Sequence, residues 1–213
     1  MAKTIVLAKA VEPGLDAWLR EHLPGRPWAA QASRIAFQRG MAAPPSPGAA
    51  DAPPAYDAVI EVWSHGSLAV AIADDDVLAS RAILDIRASE EVVARPPAHA
   101  IGPGVTPGLS QLTFLTPLPG LSRAEFVRHW TEHIPLALAI HVGMNRYLQD
   151  YLAPGGEGAG PWYGMAHLHF PDAAALRDGL FRSPEDIATI TADVAEFIGE
   201  FVTMLADEHV VKC

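Results

Sequence analysis

The chain has 213 residues, half of them apolar, which is enough to build a sizeable core in one large domain or two small ones. A net charge of −10 argues against nucleic acid and against an anionic membrane surface, both of which need clustered Lys and Arg. The single cysteine, Cys213, excludes an intrachain disulfide and a cysteine-based zinc site.

Thr4 to Lys9 reads as a first strand. Its apolar stretch, Ile5 to Ala8, falls short of the ~7–15 residues of a signal peptide. No run reaches the ~18 apolar residues of a membrane span, so a soluble, cytoplasmic protein is expected. Pro13-Gly14-Leu15 introduces a helix that ends in Glu21-His22-Leu23-Pro24. A loop rich in Ala and Pro, Gly40 to Pro54, precedes a strand containing Glu61-Val62-Trp63, and Ile83 to Val93 carries the last strand of this half. The Pro- and Gly-rich stretch up to Gly108 can hold neither a helix nor a central strand. It reads as a linker over residues 96–108, between a first unit at 1–95 and a second at 109–213.

The second unit repeats the order. Leu112 to Thr116 is its first strand. Ser122 and Glu125 form a capping-box pattern at the start of a helix. Phe126, His129, Trp130 and His133 then share one face at i, i+3, i+4, i+7. Pro135 ends this helix or starts a turn-rich segment. Met144 to Asp150 and Gly164 to Phe170 are strands two and three. Asp172 to Phe181 starts the second helix, Ser183-Pro184-Glu185 restarts it to about Ile198, and Phe201 to Ala206 is strand four.

The halves match in order. Glu21-His22-Leu23-Pro24 answers Glu132-His133-Ile134-Pro135, Pro-Gly-Leu recurs at Pro13 and Pro119, Tyr56 pairs with Tyr163, and Ile83 to Val93 pairs with Phe201 to Val211. Each match is short, but their common order makes a tandem repeat. The fold class expected is α+β: two βαββαβ units, each with helices on one sheet face and the other unit on the second face. A monomer with an intrachain barrel then suffices, and a homodimer stays open.

The second unit resembles the EthD family. Pro119-Gly120-Leu121-Ser122, Glu125-Phe126, Trp130 and His133-Ile134-Pro135-Leu136 follow its pattern, as do Arg146-Tyr147 on strand two and Ser183-Pro184-Glu185 with Asp193 near the end of helix two. The resemblance implies a ferredoxin-like unit of the dimeric α+β-barrel superfamily, pairing sheet to sheet, with a pocket between sheet and helices. It also implies an enzyme of catabolic or secondary metabolism. One strand departs from the family, which has Glu and Trp where this chain has His167 and His169. The first unit keeps Glu61 and Trp63 there.

Histidine suits acid–base chemistry near neutral pH. His133, His167 and His169 are the candidate catalytic groups, with Tyr147 to polarise an oxygen. If the helix face meets the strand face bearing His167 and His169, then Phe126, His129, Trp130, Tyr163 and Met165 complete an apolar pocket for a small hydrophobic substrate, aromatic or carbonyl-bearing. Lyase, dehydratase, isomerase or cofactor-free monooxygenase chemistry would follow without a cofactor. The alternatives are a non-catalytic binding protein, a histidine-held zinc or copper ion, or a haem ligated by one histidine. No nucleophile elbow, phosphate loop or dinucleotide fingerprint is present.

Overall fold

Strand β1 (Ala2–Ala10) buries Lys3 through Ala8 without a break. Successive strand side chains point to opposite faces, so the sheet around β1 is covered on both sides. The computed structural model describes residues 1–41 and 53–213 and shows what covers each face. Most of the Ala- and Pro-rich loop expected at 40–54 lies outside the described residues.

The first repeat runs β1, α1 (Leu15–His22), two short 3₁₀ turns, β2 (Ala32–Met41), β3 (Ala58–Ser64), α2 (Ala69–Ala73), α3 (Asp76–Ala79) and β4 (Ala82–Arg95). A two-residue strand, β5 (Gly104–Val105), follows. The second repeat runs β6 (Leu109–Pro117), α4 (Arg123–Glu132), α5 (Ile134–Ile140), β7 (Arg146–Leu152), β8 (Gly164–Phe170), α6 (Ala173–Gly179), α7 (Pro184–Val194) and β9 (Ile198–Lys212). The expected capping box is present: Ser122 N–H donates to Glu125 Oε2 at 2.9 Å, and Glu125 N–H donates to Ser122 Oγ at 3.3 Å.

The strands form one sheet in the order β2-β3-β1-β4-β7-β8-β6-β9-β5, and pairing of β2 with β9 closes it into a barrel. Two ferredoxin-like units thus build a single-chain α+β barrel. Strands β4 and β9 join them. Lys3 to Ala10 of β1 pair with the first half of β4, and Tyr147 to Leu152 of β7 pair with its second half. Likewise, β9 pairs with β6 and then with β2. This explains why β9 has 15 residues where the sequence pattern shows only six. The half that pairs with the other repeat carries Asp207, Glu208 and His209, which blur the apolar signal.

Ile5, Glu61 and Arg87 stand in the first repeat where Leu112, His167 and Met204 stand in the second. The matches of Tyr56 with Tyr163 and of Ile83 with Phe201 therefore slip by one residue, which in a strand turns a side chain to the opposite face. The match of Glu61 and Trp63 with His167 and His169 holds.

Three cores result. The first lies between α1 and its sheet and is filled by Leu19, Leu23, Trp28, Phe37, Ile60 and Ile72. The second lies under α4 to α7. The third is the barrel interior, apolar around Ile5, Leu7, Leu112, Phe114, Met165 and Met204, and polar at the end where Lys3, Trp63, Arg146 and His169 lie. No described helix is long and apolar enough to cross a membrane.

Candidate functional site

The expected site residues fall on two faces of one sheet. Phe126, Trp130, Tyr147 and Phe197 pack in the helix-side core, whereas Met165 packs with Ile5 and Leu112 inside the barrel. His167 and His169 share the Met165 face by alternation along β8. The single pocket expected to join them to His129 and His133 is therefore not formed. Alternation put His167 and His169 together correctly, but strand periodicity carries no label for which face meets the helices.

The helix side holds a cavity of about 350 Å³, lined by Trp130, His133, Ala137, His141, Tyr147, Leu168, Phe181 and Ile190 among others. Near Phe201, which is 62 % exposed, β9 also lines it. His133 is 8 % exposed and caps α4, where the helix axis is redirected into α5 with Pro135 in its first turn. Its Nδ1 lies 2.6 Å from Asp193 Oδ2 on α7. A carboxylate on Nδ1 fixes that nitrogen as the donor and leaves Nε2 as the lone-pair nitrogen. Its counterpart His22 instead places Nδ1 3.0 Å from Trp18 O and is exposed, so the two positions share a backbone role at a helix end but not a side-chain partner.

Sequence reasoning missed a second pocket imidazole, His141. Its Nδ1–H donates to Leu180 O at 2.7 Å, and burial holds its pKa below the ordinary value. The signal was its spacing of eight residues from His133 through Ala137, along a helix that Pro135 seemed to end. Tyr147 accepts from Gln149 Nε2 at 2.8 Å, and Tyr151 donates to Gln149 Oε1 at 2.7 Å. Burial raises the Tyr147 phenol well above its ordinary pKa, so it stays protonated.

The other expected binding residues sit beside this cavity. Phe126 is fully buried between Trp130 and Phe197, with ring centroids 5.5 and 6.2 Å away. His129 stacks on the outer side of Phe197. Tyr163 lies at the surface beside Arg123, over a separate cavity of about 150 Å³.

In the barrel, His167 is fully buried, with Nε2 2.8 Å from Ser110 Oγ and 3.1 Å from an Arg146 nitrogen. Burial, then the Arg146 charge, pushes its pKa down to about 3. Its Nδ1 lies 3.8 Å from Glu61 Oε1 across the barrel. Arg146 pairs through both terminal nitrogens with Glu208, at 3.0 Å each. Glu61, Glu91 and Asp150 converge closely enough to hold a cation. Lys3 Nζ stands among them at 2.8, 2.6 and 2.9 Å, so an ammonium already supplies the positive charge. Burial alone would lower the Lys3 pKa, but the three carboxylates hold it above its ordinary value.

Comparison with known proteins agrees with this architecture. The EthD domain family matches residues 118–200, the part that carries α4 to α7 and most of the lining of the 350 Å³ cavity. A search of curated protein sequences returns no match. The whole chain is similar in fold to an anthrone oxidase-like protein, with a TM-score of 0.65 and 11 % identity over 99 % of this chain and 93 % of that one. It is also similar to a candidate monooxygenase from Lactobacillus acidophilus NCFM, with a TM-score of 0.56 and 10 % identity over 99 % and 95 % of the chains. A candidate monooxygenase from Fusobacterium nucleatum gives 0.57 and 9 % over 99 % and 93 %. At such identities the likeness is one of fold. The chain thus has the α+β-barrel fold in a single-chain, two-repeat form, and part of its second repeat matches the EthD family model.

Proposed function

We propose that the second repeat is an EthD-type catalytic module that removes a proton from carbon acidified by a carbonyl group, either adjacent or conjugated through an aromatic ring, in a small, largely apolar molecule. The observation that carries this reading is the 2.6 Å contact of His133 Nδ1 with Asp193 on the wall of the 350 Å³ cavity. Asp193 orients the ring and stabilises the imidazolium that forms; Nε2 is the base. The substrate C–H bond breaks, its proton goes to Nε2, and the electron pair moves to the carbonyl oxygen. Tyr147, kept protonated by burial, is the donor available to that oxygen. The cavity lies at the lower end of the usual ~300–1,000 Å³ for small-molecule sites and is mostly apolar, which favours a compact aromatic ketone over a charged metabolite. Of the five residues expected to bind substrate, this reading keeps Trp130 on the wall and Phe126 beneath it.

The names of the structural relatives make anthrone the first compound to try. The test incubates the protein with anthrone and a panel of aromatic ketones in D₂O, following deuterium incorporation by NMR and oxygen uptake at an electrode. Exchange that disappears in His133→Ala supports the reading. Exchange that survives His133→Ala, or a wild-type protein that binds the ketones without exchanging them, overturns it; the latter result marks a carrier instead.

A further inference from the structure

Residues 96–108 do more than connect the repeats, because they cross the polar end of the barrel. Ile101 packs with Trp63, Ala36 and Val210. Gly104 and Val105 pair with β9, and Thr106 Oγ1 donates to Glu208 Oε2 at 2.6 Å. A Cβ at Gly108, where φ is +108°, would run into Phe170 O and lie 2.9 Å from His169 Cε1, so glycine is what lets the segment close down over β8. Between this strap and the sheet lies a cavity of about 440 Å³, larger than the one beside His133. Pro97, Ile101, Pro103 and Val105 form one wall, and Asn145, Arg146 and His169 the other. A second cavity of about 90 Å³ shares Pro97, Ile101 and Arg146 and reaches Glu61 and Trp63.

Two buried polar atoms at this wall have no partner among the described residues: Arg146 Nε and His169 Nε2. Their residues are directly opposed on β7 and β8. Arg146 commits both terminal nitrogens to Glu208, leaving Nε–H as a free donor. His169 Nδ1 meets Asn145 Oδ1 at 2.8 Å, which leaves Nε2 as a free acceptor. Buried polar groups are nearly always satisfied, so an unmatched donor and an unmatched acceptor on paired residues point to a missing group that offers one of each. A hydroxyl does so. A carboxylate does not, since it cannot donate to Nε2 and the Arg146 charge is already balanced by Glu208. The prolines and Ile101 suit an apolar body. Both atoms are shielded from solvent on residues that line the cavity, so side chains around them must shift for a ligand to reach them. Among the described residues, the one hydrogen bond to 96–103 runs from Cys213 Sγ to Ile101 O at 3.3 Å, so packing of Ile101 and the pairing of Gly104 and Val105 hold the strap in place.

We propose that the strap and the barrel mouth form a second binding site, separate from the His133 pocket, for an uncharged hydroxyl-bearing molecule with an apolar body, held between Arg146 and His169. The test titrates the full chain, labelled with ¹⁵N-histidine, with phenol, and with benzoate as the charged comparison. Phenol is expected to bind saturably and shift the His169 ring nitrogens, with benzoate at least tenfold weaker. Ile101→Trp fills the cavity and His169→Phe removes the acceptor; each is expected to weaken phenol at least tenfold, whereas His133→Ala leaves it unchanged. Should His169→Phe fail to fold, Ile101→Trp carries the test alone. Absence of phenol binding, binding indifferent to Ile101→Trp, binding lost instead in His133→Ala, or benzoate binding as tightly as phenol would each overturn the proposal.

Discussion

His133 and Asp193, sixty residues apart in sequence, meet at 2.6 Å where the end of α4 passes α7. The contact depends on two helix boundaries: the turn from α4 into α5 at His133, and the start of α7, where Asp186 N–H donates to the Ser183 hydroxyl at 3.2 Å. Asp193→Asn keeps the shape but removes the charge that supports an imidazolium. Ketone exchange should fall about 10²-fold, within the range of general-base effects, with little change in ketone affinity. An equal loss of rate and affinity would assign Asp193 to binding rather than to the base.

Ala137 sits on the cavity wall, one helical turn from both His133 and His141. Ala137→Leu places three further carbons in the space a substrate would occupy. The variant should fold with an unchanged melting temperature and lose ketone binding at least tenfold. A variant that binds normally would move the substrate elsewhere.

Gly164 faces Trp130, which lines the same pocket, and a Cβ there would run into Cζ3 of the indole. Trp130 is 1 % exposed, packed against Phe126 and Tyr151 on the sides away from the cavity it lines. Gly164→Ala should cost about 1–3 kcal/mol, the usual range for overpacking, measured by urea denaturation. A neutral result would mean that the indole moves into the cavity, and ketone binding would then fall.

In the barrel, Lys3→Met would leave Glu61, Glu91 and Asp150 facing one another without a counter-charge. Loss of one partner from a buried ion pair costs about 3–5 kcal/mol, and the variant should unfold at correspondingly lower urea. Asp150 is already pushed up by burial, against Lys3, and by Glu61 and Glu91. The variant should therefore regain part of its stability as the medium is acidified.

Acid should destabilise the wild type. Burial, then Arg146, holds His167 down at about 3 and His169 at about 4, whereas both titrate near 6.5 in the unfolded chain. Below pH 6.5 the unfolded state takes up protons that the folded state refuses, so stability is lost as pH falls toward 4. Asp150, pushed up to about 7 in the folded chain, acts in the opposite direction throughout this window, and the two imidazoles outnumber it. The urea midpoint should drop between pH 7 and pH 5, and His169→Phe should reduce the drop. An undiminished drop would remove His169 from this account.

The repeat, the capping box at Ser122 and strand β8 were all legible in the sequence, because each rests on local pattern. The helix face shared by Trp130 and His133 was legible in their spacing and the strand position of Tyr147 in the EthD-like motif, and all three side chains line the helix-side cavity. The partition of the histidines was not. His167 and His169 share a face with Met165, and only the closure of the barrel determines that this face looks inward. Asp193 carried a motif position but no sign of its partner, since a contact over sixty residues depends on how α7 is laid against α4. The segment 96–108 had the composition of a connector, and its position over the barrel mouth follows from where β4 ends and β6 begins.

Glu61 and His167, at equivalent places in the two repeats, lie 3.8 Å apart across the barrel. In a two-fold dimer of identical chains, each such residue would confront its own copy, glutamate against glutamate or imidazole against imidazole. Fusion removes that constraint, since a substitution in one half is no longer made twice. One half can then fill its helix layer with Trp28 and Leu23 while the other keeps its helix layer hollow. Covalent duplication thus leaves each copy free to fill or to hollow its helix layer without the same change being made in the other.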